Sequence, residues 1–258
     1  MQIWADHLTR KGSQQRYRPG IWEDFATRYD EVVPHSPEIT AALRDLIRPE
    51  DTVLDIGAGT GRFTLPLAAH ARAVTALDRS AQMLDALQAK ASAQGLTNIT
   101  TLQATWAEAD VEPHDVVLAA FVPGPAQDIP AQLQKMADTA RRALIVVQGD
   151  PSAHAPHYDA RMAIWPDDRR DIPKYLIFAG MLWQIGLRAD VRVLHEQRTY
   201  QAATREAIAR QLAPLDTTDE QISQLAERIA PLMHATEAGF YYEYSLPAGL
   251  IIWDRDTT

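Results

Sequence analysis

The segment from Val53 to Phe63 constrains this chain more than any other feature. A short apolar and β-branched run, Thr52–Ile56, leads directly into three alternate glycines at Gly57, Gly59 and Gly61. Such spacing predicts a buried strand followed by a tight turn whose backbone a ligand approaches where a Cβ would collide. The helix predicted next, Phe63–His70, would turn its free N–H groups toward that ligand.

Strands and helices are predicted to alternate from residue 36 to residue 147, with the spacing of βαβ units. The strands are continuous apolar runs, as expected when both faces of a parallel sheet are covered by helices. The sequence therefore predicts a doubly wound α/β fold with a mostly parallel seven-stranded sheet and helices on both faces. Five strands are expected in this half: Thr52–Ile56, Ala73–Leu77, Ile99–Gln103, Val116–Phe121 and Ala143–Val147.

The pattern loosens after Asp150, and a long loop is predicted over 150–173. A strand over Val191–Tyr200 is followed by a helical insert at 205–233, and strands over Gly239–Leu246 and Leu250–Trp253 end the chain. We expect a single domain over 1–258: an N-terminal lid over 1–35, a cofactor-binding core over 36–150 and an acceptor-side half over 151–258.

Two common glycine-loop ligands fit this sequence poorly. A dinucleotide fingerprint needs a third glycine at the position of Arg62, where bulk interferes with the close helix–strand contact beside the pyrophosphate. A nicotinamide-dependent oxidoreductase remains an alternative on the same kind of sheet. A P-loop is excluded because no Gly-Lys-Ser/Thr follows the glycines.

Asp55-x-Gly57-x-Gly59-x-Gly61 resembles the first motif of class I S-adenosylmethionine-dependent methyltransferases. In that family the loop wraps the amino-acid end of the cofactor, and an acidic residue after the second strand accepts hydrogen bonds from both ribose hydroxyls. Asp78 stands at that position, and a carboxylate suits a vicinal diol. The resemblance therefore implies S-adenosylmethionine as cofactor and methyl transfer as activity.

The resemblance implies further contacts around the cofactor. Met83 matches a position that packs on the adenine, while Thr105 departs from the acidic residue that many members have there. Tyr29 is the preferred lid residue, and Phe121 ends the strand below the cofactor. The full set of implied cofactor-binding residues is Tyr29, Asp55, Gly57, Ala58, Gly59, Gly61, Asp78, Arg79, Met83, Thr105, Trp106 and Phe121.

The acceptor side offers few chemical signals. In-line displacement from a sulfonium needs alignment above all, and a base only when the acceptor must lose a proton. Candidates for a base or an acceptor contact are His154, His157 and Tyr158, in the loop after the fifth strand. His154-x-x-His157 is compatible with metal ligation, but no third ligand is evident, so no metal is expected.

Composition favours a small-molecule acceptor. The formal net charge is −9, there are no cysteines, and no run of about 20 apolar residues exists that could span a membrane. An acidic surface disfavours nucleic acid, and we expect a cytoplasmic protein with no membrane contact. Methylation of RNA or protein, and a binding module without catalysis, remain alternatives, and the oligomeric state is left open.

Overall fold

The structure, a computed structural model, describes residues 36–122, 129–149, 155–166, 173–214 and 217–256. The lid predicted over 1–35, with Tyr29, lies outside these residues, as does His154. None of the helices within the described ranges has the length and apolar character needed to cross a membrane.

A mostly parallel sheet forms the centre of the fold, in agreement with the prediction. Its strand order is β3-β2-β1-β4-β5-β8-β6, and the short β7 pairs with β8. Strands β1 to β5 are parallel to one another, whereas β8 runs antiparallel between β5 and β6. The strands are β1 Thr52–Ile56, β2 Ala73–Asp78, β3 Ile99–Gln103, β4 His114–Ala120, β5 Ala140–Gly149, β6 Asp190–Ala202, β7 His234–Thr236 and β8 Gly239–Asp254.

Helices cover both faces of this sheet. One apolar core contains Leu43 of α1 and Phe63 beside the glycine loop, and the other contains Leu133 of α4 and Phe178 of α6. Because each central strand contributes to both cores, its side chains are buried on both faces, which explains the continuous apolar runs. The helices are α1 Pro37–Leu46, α2 Thr64–Ala68, α3 Ala81–Ala93, α4 Ile129–Thr139, α5 Tyr158–Met162, α6 Lys174–Gln184, α7 Arg205–Leu212 and α8 Asp219–Ile229.

The end of the chain differs from the two strands predicted there. Gly239–Asp254 is one strand that continues through Pro247. The β5–β8 pairing stops at Gly149 and Ala248, so among the described strands Pro247 has a neighbour only in β6. A missing N–H is tolerated at a position with one unpaired side, which is why proline does not break this strand.

The strands β6 and β8 extend beyond the carboxyl end of β5 as a ribbon, and β7 pairs with β8 at its far end. The ribbon, defined here as residues 195–202 with residues 240–247, is antiparallel along its whole length. Helices α7 and α8, the predicted insert, pack on it around Tyr200 and Tyr242. Since parallel strands bind ligands at their carboxyl ends, the ribbon and its helices stand beside the edge where a site is expected.

Candidate functional site

The glycine loop adopts the conformation for which its sequence is suited. Gly57, Gly59 and Gly61 have φ values of 71°, 54° and 91°, a region that other residues rarely adopt. The N–H groups of Gly57 and Ala58 donate to the Leu77 carbonyl at 2.7 and 3.0 Å. The loop is therefore fastened to the end of β2, where Asp78 follows.

The three glycines meet different surroundings. A Cβ at Gly59 would have no atom within 4 Å, whereas one at Gly57 would lie 2.7 Å from the Val122 side chain. At Gly61 it would lie 3.0 Å from Leu65 and from Leu87. Gly61 thus serves helix packing, and Gly59 opens onto free space that a ligand can occupy.

Asp78 is held in place by two backbone groups. Its Oδ2 accepts the Gly59 N–H and its Oδ1 accepts the Ser80 N–H, both at 2.9 Å. A carboxylate offers about four acceptor sites, so each oxygen retains one. This arrangement fits the two hydroxyls of a ribose.

Asp55 lies behind the loop and does not line the cavity described below. Its side chain is buried, with 2% exposure, and its Oδ2 accepts the Thr64 hydroxyl at 2.6 Å. Burial raises the pKa of Asp55 to about 6, against the Thr64 hydrogen bond and with help from the negative charge of Asp78. Its contact with Thr64 joins β1 to the first turn of α2, so we interpret Asp55 as a support of the loop.

A cavity of about 490 Å³ opens at the carboxyl ends of the central strands. It takes in most of the predicted cofactor residues: Gly57, Gly59, Asp78, Arg79, Met83, Thr105, Trp106 and Phe121. Asp55, Ala58 and Gly61 are not among its lining residues, and neither are the described parts of the helical insert. The glycine loop, the end of β2 and the segment after β3 are thus brought to one site.

The sequence did not indicate the residues that line this cavity from the side of α4 and α6. Gln132 and Phe178 line it from α4 and α6, together with Ile129, Leu133, Met136 and Gln148. The apolar face of α4 was visible in the sequence, but periodicity cannot distinguish a face that packs on a sheet from one that also borders a cavity. Which helix residues reach the cavity is decided by how α4 crosses the sheet.

The segment after β3 has its side chains engaged with its own neighbours. The Thr105 hydroxyl donates to Glu108 Oε2 at 2.6 Å, and the Trp106 indole N–H donates to the backbone carbonyl of Gln132 at 3.3 Å. Lys135 lies over the Trp106 ring, with its Nζ 4.4 Å from the ring centre. This segment is therefore anchored to α4.

Arg62, the residue in the third glycine position of a dinucleotide fingerprint, connects the loop to the ribbon. Its guanidinium lies 5.0 Å from the ring centres of both Phe63 and Phe121. It also pairs with the buried Glu196 of β6 and donates to the Ser36 hydroxyl. Phe121, the residue that follows β4, is thereby joined to the ribbon through one arginine.

His157 and Tyr158 lie apart from the cavity. His157 is 3% exposed, and its Nδ1 is 2.9 Å from the Tyr242 hydroxyl. Burial, reinforced by the charge of Arg161, lowers the pKa of His157 to about 4, so the ring is neutral at pH 7. Neither residue is among those that line the cavity.

Comparisons with known proteins indicate the kind of domain that carries this site. Residues 53–144 match a family described as a methyltransferase domain. An uncharacterized protein of Haemophilus influenzae is 30% identical over 155 residues, which are 58% of this chain and 56% of that protein. The chain thus spans just over half the length of that relative. A 23S rRNA uracil methyltransferase of Photobacterium angustum is 45% identical over 58 residues, 22% of this chain and 26% of that enzyme.

Solved structures share the fold. The YcgJ protein of Bacillus subtilis superposes with a TM-score of 0.57 at 17% identity, over 83% of this chain and 97% of that one. A protein of Bacillus halodurans assigned as a methyltransferase has a TM-score of 0.59 at 14% identity, over 84% and 98% of the two chains. The fold and the site define a Rossmann-like nucleotide-binding domain of the methyltransferase type. Residues 53–144 thus carry a methyltransferase domain whose family match and fold agree with class I S-adenosylmethionine-dependent methyltransferases, and the cofactor of that family is S-adenosylmethionine.

Proposed function

We propose that this protein transfers the methyl group of S-adenosylmethionine to a small-molecule acceptor. The observation that carries the proposal is the ribbon with its two helices, which stands past the carboxyl end of β5. It is tied to Phe121 through Arg62, beside the edge where the cofactor binds. A ribbon in that position would limit the room for an acceptor beside the carboxyl ends of the strands, which favours a small molecule over a long polymer.

The described residues account for how the cofactor would be held. Asp78 accepts hydrogen bonds from the ribose hydroxyls, and the open face of Gly59 receives the amino-acid end. Met83, which is 2% exposed and lines the cavity, packs against the purine. Bound in this way, S-adenosylmethionine supplies an electrophilic methyl group on a sulfonium.

Positioning provides most of the catalysis in this proposal. Holding donor carbon and nucleophile in line at about 3 Å replaces a bimolecular encounter with an arranged one. The Phe121 ring borders the cavity and tolerates a neighbouring positive charge. Among the candidate bases, His157 is neutral but buried against Tyr242, so its task is to support the ribbon.

The test begins with the cofactor. We expect S-adenosylhomocysteine to bind the wild-type protein in calorimetry and Asp78→Asn to weaken that binding by at least about 10-fold. Asp85→Asn, on the exposed side of α3, is the matched control and leaves the affinity unchanged. Equal affinity for all three proteins would refute the role of Asp78.

The acceptor is tested with isotopically labelled S-adenosylmethionine. A small-metabolite extract and total RNA are offered in parallel, and products are separated by size before mass spectrometry. A small molecule that gains the labelled methyl group supports the proposal. Label found in the RNA alone would overturn the small-molecule assignment.

RNA is the second candidate acceptor because two of the relatives are named as ribosomal RNA methyltransferases. Besides the Photobacterium enzyme, a mitochondrial ribosomal RNA small subunit methyltransferase of Arabidopsis thaliana is 32% identical over 103 residues, 40% of this chain and 27% of that enzyme. The net charge of −9 weighs against it, because phosphate contacts need a basic surface. The same labelling experiment separates the two acceptors.

A further inference from the structure

The central sheet ends at β6, and the first part of that strand has a free edge. Residues 190–194 pair with β8 on one side, and no other described segment forms backbone hydrogen bonds with their opposite side. An unpaired edge strand is a template for another strand, and native proteins usually cover it or interrupt it. The residues around this edge indicate what covers it.

The backbone groups of Val191 and Val193 are directed away from β8. Further along the same strand, the His195 N–H donates to Glu38 Oε2 of α1 at 3.2 Å, so it points outward from the sheet. Pro247, which has no N–H, is the β8 residue opposite His195, as expected at a pair that exchanges no hydrogen bonds. Because this direction alternates along an antiparallel ladder, residues 191 and 193 also offer their N–H and C=O groups to the free edge.

The large apolar side chains that the described part of the chain leaves exposed all belong to β6 or to α6, the helix beside it. They are Val191, Val193, Leu176 and Trp183, each between 39% and 59% exposed. Val191 stands opposite Ile251, which belongs to the core beneath α6, so the valines and the helix are on one face of the sheet. Leu176 and Trp183 are seven positions apart and share one side of α6. Strand and helix together therefore present an apolar surface beside the free edge.

The charges beside Val191 match those of a second copy of this chain. Asp190 and Arg192 flank Val191 on the opposite face of β6, and neither has an ion pair within the described ranges. If two β6 strands pair antiparallel about Val191, Asp190 of each copy lies opposite Arg192 of the other, and opposite charges across a pair are favourable. Pairing about Arg192 would instead set two arginines opposite each other. Pairing about Val193 would need the His195 N–H, which is already bonded.

We propose that this chain forms a two-fold symmetric dimer in which the β6 strands of two copies pair antiparallel about Val191. The two sheets become one continuous sheet, with both α6 helices on the same face and their exposed sides turned toward the other copy. Pairing is confined to the start of β6, because Glu38 occupies the edge at His195. The ribbon and the cavity therefore stay outside the interface, and the dimer does not depend on which acceptor is methylated.

Sedimentation velocity over a series of protein concentrations measures this association. The wild type is expected to be a dimer. Asp190→Arg sets arginine opposite arginine at both charge pairs, and Arg192→Asp sets aspartate opposite aspartate, so each is expected to weaken the dimer at least about 10-fold. Both changes in one chain restore opposite charges and are expected to restore the dimer. Asp85→Arg, on the exposed side of α3, makes the same change of charge as Asp190→Arg and is expected to leave association unchanged.

Mixing the two single variants tests the register directly. A chain with Asp190→Arg complements a chain with Arg192→Asp at both pairs, so a mixed dimer is expected from two proteins that self-associate poorly, and native mass spectrometry identifies it by mass. Thermal unfolding checks that the variants are folded, and their midpoints are expected to stay near that of the wild type because both positions are exposed. A wild type that is monomeric at every concentration overturns the dimer. A dimer that both charge reversals leave unchanged, or single variants that form no mixed dimer, overturns this interface.

Discussion

Replacing Asp55 by Asn is expected to stabilise the protein without ligand at neutral pH and to have little effect in acid. Burial raises the pKa of Asp55 from 3.8 to about 6, so the folded state holds a proton that the unfolded chain releases. Stability from this group is therefore complete below pH 4 and is lost as the pH rises through 6. Each unit of difference between the folded and unfolded pKa corresponds to about 1.4 kcal/mol, so the loss of stability is about 3 kcal/mol.

An Asn side chain does not titrate, and its oxygen can still accept the Thr64 hydroxyl. We expect the free energy of unfolding of Asp55→Asn to exceed that of the wild type by up to about 3 kcal/mol at pH 7.5. Near pH 3.5 the two values are expected to be equal. Urea unfolding followed by circular dichroism at several pH values measures the difference. The reasoning would be refuted if the difference in free energy of unfolding stayed constant with pH. It would also be refuted if Asp55→Asn were less stable than the wild type at pH 7.5.

Asp115→Asn is the matched control with the opposite sign. Burial acts to raise the pKa of Asp115, but hydrogen bonds from Thr52 and the charges of Arg141 and Arg72 outweigh it and keep the pKa below its usual value. The folded state therefore favours the charged form, and its contribution to stability is lost as the pH falls. Asp115→Asn is expected to lower the free energy of unfolding at neutral pH and to have a value close to that of the wild type in acid.

Three further substitutions separate binding from folding. Gly59→Ala places a methyl group in open cavity space, so we expect S-adenosylhomocysteine affinity to fall at least 10-fold while the positive φ costs only about 1 kcal/mol of stability. Gly61→Ala adds a clash with α2 and α3 to a positive φ, and urea unfolding is expected to show a further loss of about 1–3 kcal/mol. Glu196→Gln leaves the buried Arg62 without its counter-charge and is expected to cost about 3–5 kcal/mol. A second change, Arg62→Met, is expected to restore at least half of that loss, and no recovery would contradict the ion-pair explanation.

Local sequence was sufficient for the parts of the site that depend on neighbouring residues. The three glycines need a positive φ wherever the chain turns back so tightly, and Asp78 is the last residue of β2. Continuous apolar strands alternating with helices predicted the doubly wound sheet, and the structure confirms it. These features could be inferred because each depends on the conformation of a few consecutive residues and on the period of a pattern.

Tertiary structure decided what depends on distant segments. Arg62 pairs with Glu196, which lies 134 positions away in the sequence, and the residues around each of them do not predict this pairing. The same holds for Gln132, which lines the cavity only because α4 crosses the sheet beside the segment after β3. The sequence by itself determined a sheet with a glycine loop for a nucleotide cofactor. Only the packing of helices and ribbon around that loop determined which side chains form the walls of the site, because wall contacts are set by long-range geometry.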